Sequence, residues 1–174
     1  MSLIKFDNTV LDRERKSELR LTEANVLISR GDLTGETLPT TYAEFETFLE
    51  KFENIGVNGK DSPDYKDEDM VEDVDYETIV TGVKAQGDIT VKKISQAFLE
   101  WISDELRNEK VTVFLVPKDP VPHDMCLFIE GVKLTKKLEG KANSDNSPQV
   151  VFSYMRRADK ITDVYKIFEV PVES

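Results

Sequence analysis

From residue 76 to residue 170 the chain strings together segments with the two-residue alternation of β-strands, broken by a single helical stretch. This pattern constrains the fold more than any other feature. Strands and helices do not alternate, so a parallel sheet with crossover helices is excluded, and a mainly β (α+β) fold is expected, an antiparallel sandwich or barrel with one flanking helix. Residues 77–83 are rich in β-branched side chains, and 87–92 alternate apolar with polar. Further strands are expected at 111–116, stopped by Pro117, and at 125–129. Residues 131–138 continue in extended alternation, with Val132, Leu134 and Leu138 set against Lys133, Lys136 and Lys137. Two more strands are expected at 149–155 and 164–170, with a turn-rich connection at 140–148 between the first of them and what precedes it.

The helical stretch runs over 95–107. Ser95 is its cap, and Ile94 and Leu99 stand at the positions of a hydrophobic staple. Ala97, Phe98, Trp101, Ile102 and Leu106 form its apolar stripe, so Phe98, Trp101 and Ile102 are expected to anchor it in the core. A shorter helix is expected at 42–53. Thr41 and Glu44 have the capping-box spacing, and Phe45, Phe48, Leu49 and Phe52 fall on one face. Core packing is the plain reading of that Phe stripe, ahead of a ligand or partner groove. Asn54 and Gly56 are read as ending the helix. Before it, 3–6 and 25–29 read as short strands, 11–24 as a weakly helical charged stretch, and 31–40 as loop. A length of 174 residues fits one domain, 1–174, in which 31–76 is a loop and helix insertion.

Charge narrows the function. Acids outnumber bases 34 to 23, for a net charge of −11, and a nucleic-acid binder needs the opposite balance. The excess is local: residues 61–77 hold nine acids and one Lys, a net of −8. With Pro63 and little hydrophobicity, 61–75 is expected to be a long exposed acidic loop. A calcium loop fits it poorly, because acids crowd together at 67–69 and no Gly occurs from 61 to 77 to make the sharp turn. No cofactor or metal is expected.

Catalytic constellations are absent from the sequence. His123 is the single histidine; its neighbour Asp124 does not make a dyad, and the proline-rich 118–123 context points to an exposed loop. Cys126, the single cysteine, lies in an apolar strand, where an inert buried thiol is expected and no intramolecular disulfide can form. No phosphate loop, dinucleotide fingerprint, nucleophile elbow or metal-ligand spacing occurs. The first seven residues lack the basic start and apolar block of a signal peptide, and no apolar run reaches the ~18 residues of a membrane helix. The expected role is therefore not enzymatic, and function is expected to reside in surfaces.

The order of elements resembles a known family. The segments 78–83 and 87–91 leading into the helix 96–107, then the strands 111–116, 125–132 and 149–154, resemble the major tail tube proteins of tailed bacteriophages, relatives of contractile-injection and type VI secretion tube subunits. The resemblance covers roughly 76–156 and carries no diagnostic motif; the helix at 42–53 departs from a minimal tube subunit. It implies a virion subunit, made in the host cytoplasm, that forms hexameric rings stacked into a tube, contacts other tail proteins, touches no membrane, and lets DNA pass through the lumen without specific binding. A near-neutral to acidic wall suits such passage. The same features leave open another tail or injection-system subunit (terminator, adaptor or baseplate protein) or a monomeric β binding module. If copies do assemble, the expected contact pairs the acidic segment (Asp61, Asp64, Asp67, Glu68, Asp69, Glu72, Asp73, Asp75) with two basic spots, Lys133, Lys136, Lys137 and Lys141, and Arg156 and Arg157.

Overall fold

Three apolar strands organise the molecule: β1 (Ala24–Arg30), β5 (Lys110–Pro117) and the first half of β6 (Met125–Glu139). They lie side by side with β5 in the middle, all antiparallel. Successive side chains of a strand point to opposite faces, so a continuous apolar run is stable only when both faces are covered. Both are. The computed structural model describes residues 24–58, 64–74, 77–92, 95–139 and 149–173. Within them the sheet has eight strands in the order β2-β1-β5-β6-β7-β4-β3, with β8 also pairing to β6. The other strands are β2 (Glu53–Asn58), β3 (Asp64–Val74), β4 (Glu77–Lys92), β7 (Gln149–Ala158) and β8 (Tyr165–Glu169). The sheet curls until β2 lies against β4.

One face carries Val26, Ile28, Val113, Leu115 and Ile129, joined in the same core by Ala85 and Ile89 of β4 and by Phe152 and Tyr154 of β7. Helix α2 (Gln96–Glu100) packs onto this core and continues as a π-helical turn, Trp101–Glu105, where Leu106 N–H donates to Trp101 C=O. Ser95 caps it by accepting from the Phe98 N–H. Ile102 and Leu106 are buried, while Phe98 and Trp101 are half-buried and lean on the core from its margin. The opposite face carries Leu27, Phe114, Val116, Cys126 and Phe128 under helix α1 (Tyr42–Leu49). The capping box formed by Thr41 and Glu44 starts α1, and Phe45, Phe48 and Phe52 are all buried. Phe114 and Phe128 face each other across the ladder and stack at 4.0 Å, and Phe48 meets both edge-on. Such pairs add ~0.5–1.5 kcal/mol beyond burial.

Three expectations are corrected. The acidic segment is not a long loop: its residues 64–74 form β3, an 11-residue edge strand on β4. Apart from a bulge at Met70 and Val71, β4, itself strongly β-forming, supplies the pairing along one side of this strand, and an edge strand tolerates charge because water reaches it. Asp61 and Asp75 lie outside the described residues. Second, α1 ends at Leu49, and Glu53–Asn58 form β2 rather than the stop that Asn54 and Gly56 suggest. Ile55 and Val57 supply the alternation, and pairing with β1 through a bulge after Val26 accommodates Gly56. The stretch 31–76 is thus not only loop and helix. Third, 77–83 and 87–92 are one continuous 16-residue strand, β4, across Gly82 and Gly87. The short strand expected at 3–6 and the weak helix at 11–24 lie outside the described residues.

Candidate interaction surface

The β3–β4 hairpin is longer than the sheet that holds it. β7 pairs with β4 only as far as Val83, opposite Ala158. Beyond that point 70–74 and 77–82 pair with each other and no third strand joins them among the described residues. A two-stranded ribbon is marginal in water, and this one keeps apolar surface wet: Ile79 is 47% and Val80 60% exposed. Its sequence contributes acids at 72, 73 and 77, with Asp69 at its root. A bulge falls between Met70 and Val71, and Thr81 Oγ1 donates to Met70 C=O at 3.1 Å. Gly82 marks the root of the arm. A Cβ there would stand 2.7 Å from the backbone oxygen of Ala158 and 2.7 Å from Met70 Cε, so only glycine lets β4 leave the sheet at that point.

The outer face of β6, β7 and β4 offers a different surface. Register places Lys133 opposite Met155, Met155 opposite Gln86, and Arg157 opposite Lys84. Met155, Arg157 and Lys133 are exposed, since α2 and the core cover the other face. Met155, 48% exposed, is thus an apolar spot with Lys133 on one side and Arg157 two residues along, and with neutral Gln86 and Ser153 as its other same-face neighbours. Lys133 and Arg157 make no ion pair among the described residues.

Arg156 corrects the expectation for the second basic spot. Being next to Arg157 in a strand, it faces the opposite side, where it is half-buried rather than offered to a partner. Its Nη1 donates to the carbonyls of Glu130 (2.7 Å) and Asp163 (2.9 Å). These carbonyls sit where one edge of β6 changes partner, from β8 at 125–129 to β7 at 133–139. The guanidinium fills the gap between the two partner strands. Gly131 takes φ +61 at this bend, and a Cβ on it would stand 3.1 Å from Arg156 Nη1. Beside it the Glu130 carboxylate is 5% exposed. Its Oε1 accepts from the Leu33 N–H at 3.1 Å; its Oε2 takes no well-aligned hydrogen bond, and the Lys166 Nζ stands 2.6 Å away.

The remaining expected contact residues are spread along the sheet. Asp64, Asp67, Glu68 and Asp69 stand on β3 opposite Asp88, Ala85, Lys84 and Val83, and Glu72 and Asp73 stand on the arm opposite Ile79 and Thr78. On β6, Lys136 is opposite Phe152 and Lys137 opposite Val151. Lys141 lies outside the described residues. The apolar elements of the surface, Met155, Ile79 and Val80, escape a reading based on charge. Glu130 was not singled out by the sequence; its standing as the lone acid in the apolar run 125–132 is the one signal there that could have found it.

Two side chains, Cys126 and His123, have catalytic potential by their type. Cys126 is buried among the Phe side chains, and burial, helped by Asp124, pushes its thiol up to about 12. His123 is exposed in a loop at φ +72, its Nδ1 2.7 Å from a Glu169 carboxylate oxygen. Among the described residues no three His, Cys, Asp or Glu side chains gather as a metal site, and no helix is long and apolar enough to cross a membrane. Comparison with protein-family models and with curated proteins yields no match.

Proposed function

We propose that this chain is a structural subunit that associates with copies of itself into stacked rings forming the tail tube of a bacteriophage, a conduit for DNA. One observation carries the reading: the β3–β4 arm leaves its parent sheet with apolar side chains wet on both faces. A ribbon of this kind gains stability only when something covers it. The antiparallel sheet with a single flanking helix over 77–158 agrees with the family resemblance in element order. Edge strands at both ends of the sheet order, β2 and β3, add backbone groups for further pairing. The acids of β3 keep that edge from pairing indiscriminately, and the predominantly negative chain gives DNA little to adhere to.

Electron microscopy of the concentrated full-length protein in negative stain tests the reading. Hollow tubes of stacked rings are the expected result. Isolated rings that do not stack favour a terminator or adaptor role instead. A chain that remains monomeric on a sizing column at every concentration overturns self-assembly altogether.

A further inference from the structure

We propose that the β3–β4 arm of one copy docks on the outer sheet face around Met155 of a second copy. The inference rests on the self-assembly reading above and names the two surfaces that meet. The arm carries acids at 72, 73 and 77 and exposes Ile79 and Val80. The receiving face exposes Met155 with Lys133 beside it and Arg157 two residues along, both cations free of ion pairs among the described residues. Ile79 and Val80 stand on opposite faces of the ribbon, so one of them meets Met155, and the net negative sequence of the arm complements Lys133 and Arg157.

The two surfaces cannot satisfy each other within one molecule. Both lie on β4: Lys84 and Gln86 belong to the receiving face, and 77–82 to the arm. Turning the arm back onto its own sheet requires breaking the ladder at the root, where Gly82 is closed in by Ala158. The occupant of the face is therefore the arm of another copy. Because the two surfaces differ, the contact is head-to-tail, and repetition closes a ring or extends a filament.

The test uses two full-length variants. One carries Ile79→Asp and Val80→Asp and keeps its receiving face; the other carries Lys133→Glu and Arg157→Glu and keeps its arm. Each alone should run as a monomer on a sizing column, with circular dichroism and melting like the parent chain. Mixed one to one they should form a dimer, since one intact arm then meets one intact face, and should grow no further. The milder pair Val80→Thr and Arg157→Gln, which keeps strand-forming side chains, should raise the concentration needed for assembly about tenfold each, a loss on the scale of one good contact. Parent-like assembly of either charge-altered variant alone overturns the proposal while leaving the tube reading standing. Head-to-tail dimers from the mixture, with no tubes from the parent chain, overturn the tube reading and keep the docking. Monomers in every sample overturn both.

Discussion

Arg156 and Arg157 are adjacent in sequence and should have opposite consequences when removed. Arg156→Met keeps the length of the side chain and deletes the donor that holds the carbonyls of Glu130 and Asp163 at 2.7 and 2.9 Å. A hydrogen bond from a charged group contributes ~1.5–3 kcal/mol, and a buried carbonyl left alone costs ~1–3 kcal/mol. Glu130 is buried, whereas Asp163 is half-exposed and water can reach its carbonyl region, so the sum is set nearer the lower bound. The expected loss is about 3 kcal/mol. For a chain of this size that is a fall in Tm of roughly 6–12 °C. Guanidinium unfolding at pH 7, followed by Trp101 fluorescence, measures the loss directly. Arg157→Met, on the exposed face with no bond to lose, should stay within about 0.5 kcal/mol of the parent. Equal stabilities for the two variants would refute the argument, because the gap at the β8–β7 changeover would then need no guanidinium.

Other outcomes follow from features already described. The native Cys126 thiol should resist a disulfide reagent at pH 8, its thiolate being suppressed by burial, and should react fully once denatured; rapid native labelling would place it at the surface. Glu44 is held below the usual carboxylate range, first by the Thr40 backbone N–H and then by the Thr40 hydroxyl. A depressed carboxyl stabilises the fold above its unfolded pKa, and that contribution is lost as pH falls through the folded one. Glu44→Gln should therefore flatten part of the acid limb of a stability-versus-pH curve, and an unchanged limb would show the bonds from Thr40 to Glu44 to be unformed in solution. Gly82→Ala places a methyl group 2.7 Å from the Ala158 oxygen and should cost ~1–3 kcal/mol with earlier proteolysis of the arm; a Tm equal to the parent's would show that the arm root has room.

Much of the architecture is legible in local pattern. The Phe stripe, the Thr41 and Glu44 box and the alternations of β5 to β7 each report a choice made within a few residues. β3 was not legible, because its residues become a strand through what β4 offers across the ladder rather than through their own propensity. β2 was missed for a related reason: Gly56 and Asn54 read as a stop until β1 is there to pair with them. The placement of the basic residues was legible in part. Arg157 and Lys133 lie on the outer face, but the parity that sends Arg156 inward is set by register with β4 and β6, which a single strand's sequence does not contain. Glu130 needed the meeting of Leu33 and Lys166, far apart in the chain, to become intelligible.

The strand order has a bearing on timing. β3 and β4 are joined across two residues, so the arm belongs to a hairpin that can close in ~1–10 μs. β1 must wait for β5, and β4 for β7, pairings between distant segments that are slow to form. Synthesis at ~5–20 residues per second exposes the arm well before β7 has emerged. The face that would receive a neighbour's arm spans β4, β7 and β6 and is therefore among the last surfaces completed. If copies add head to tail as proposed, a nascent chain could offer its arm but not accept one, and growth would be confined to subunits whose C-terminal half has already folded.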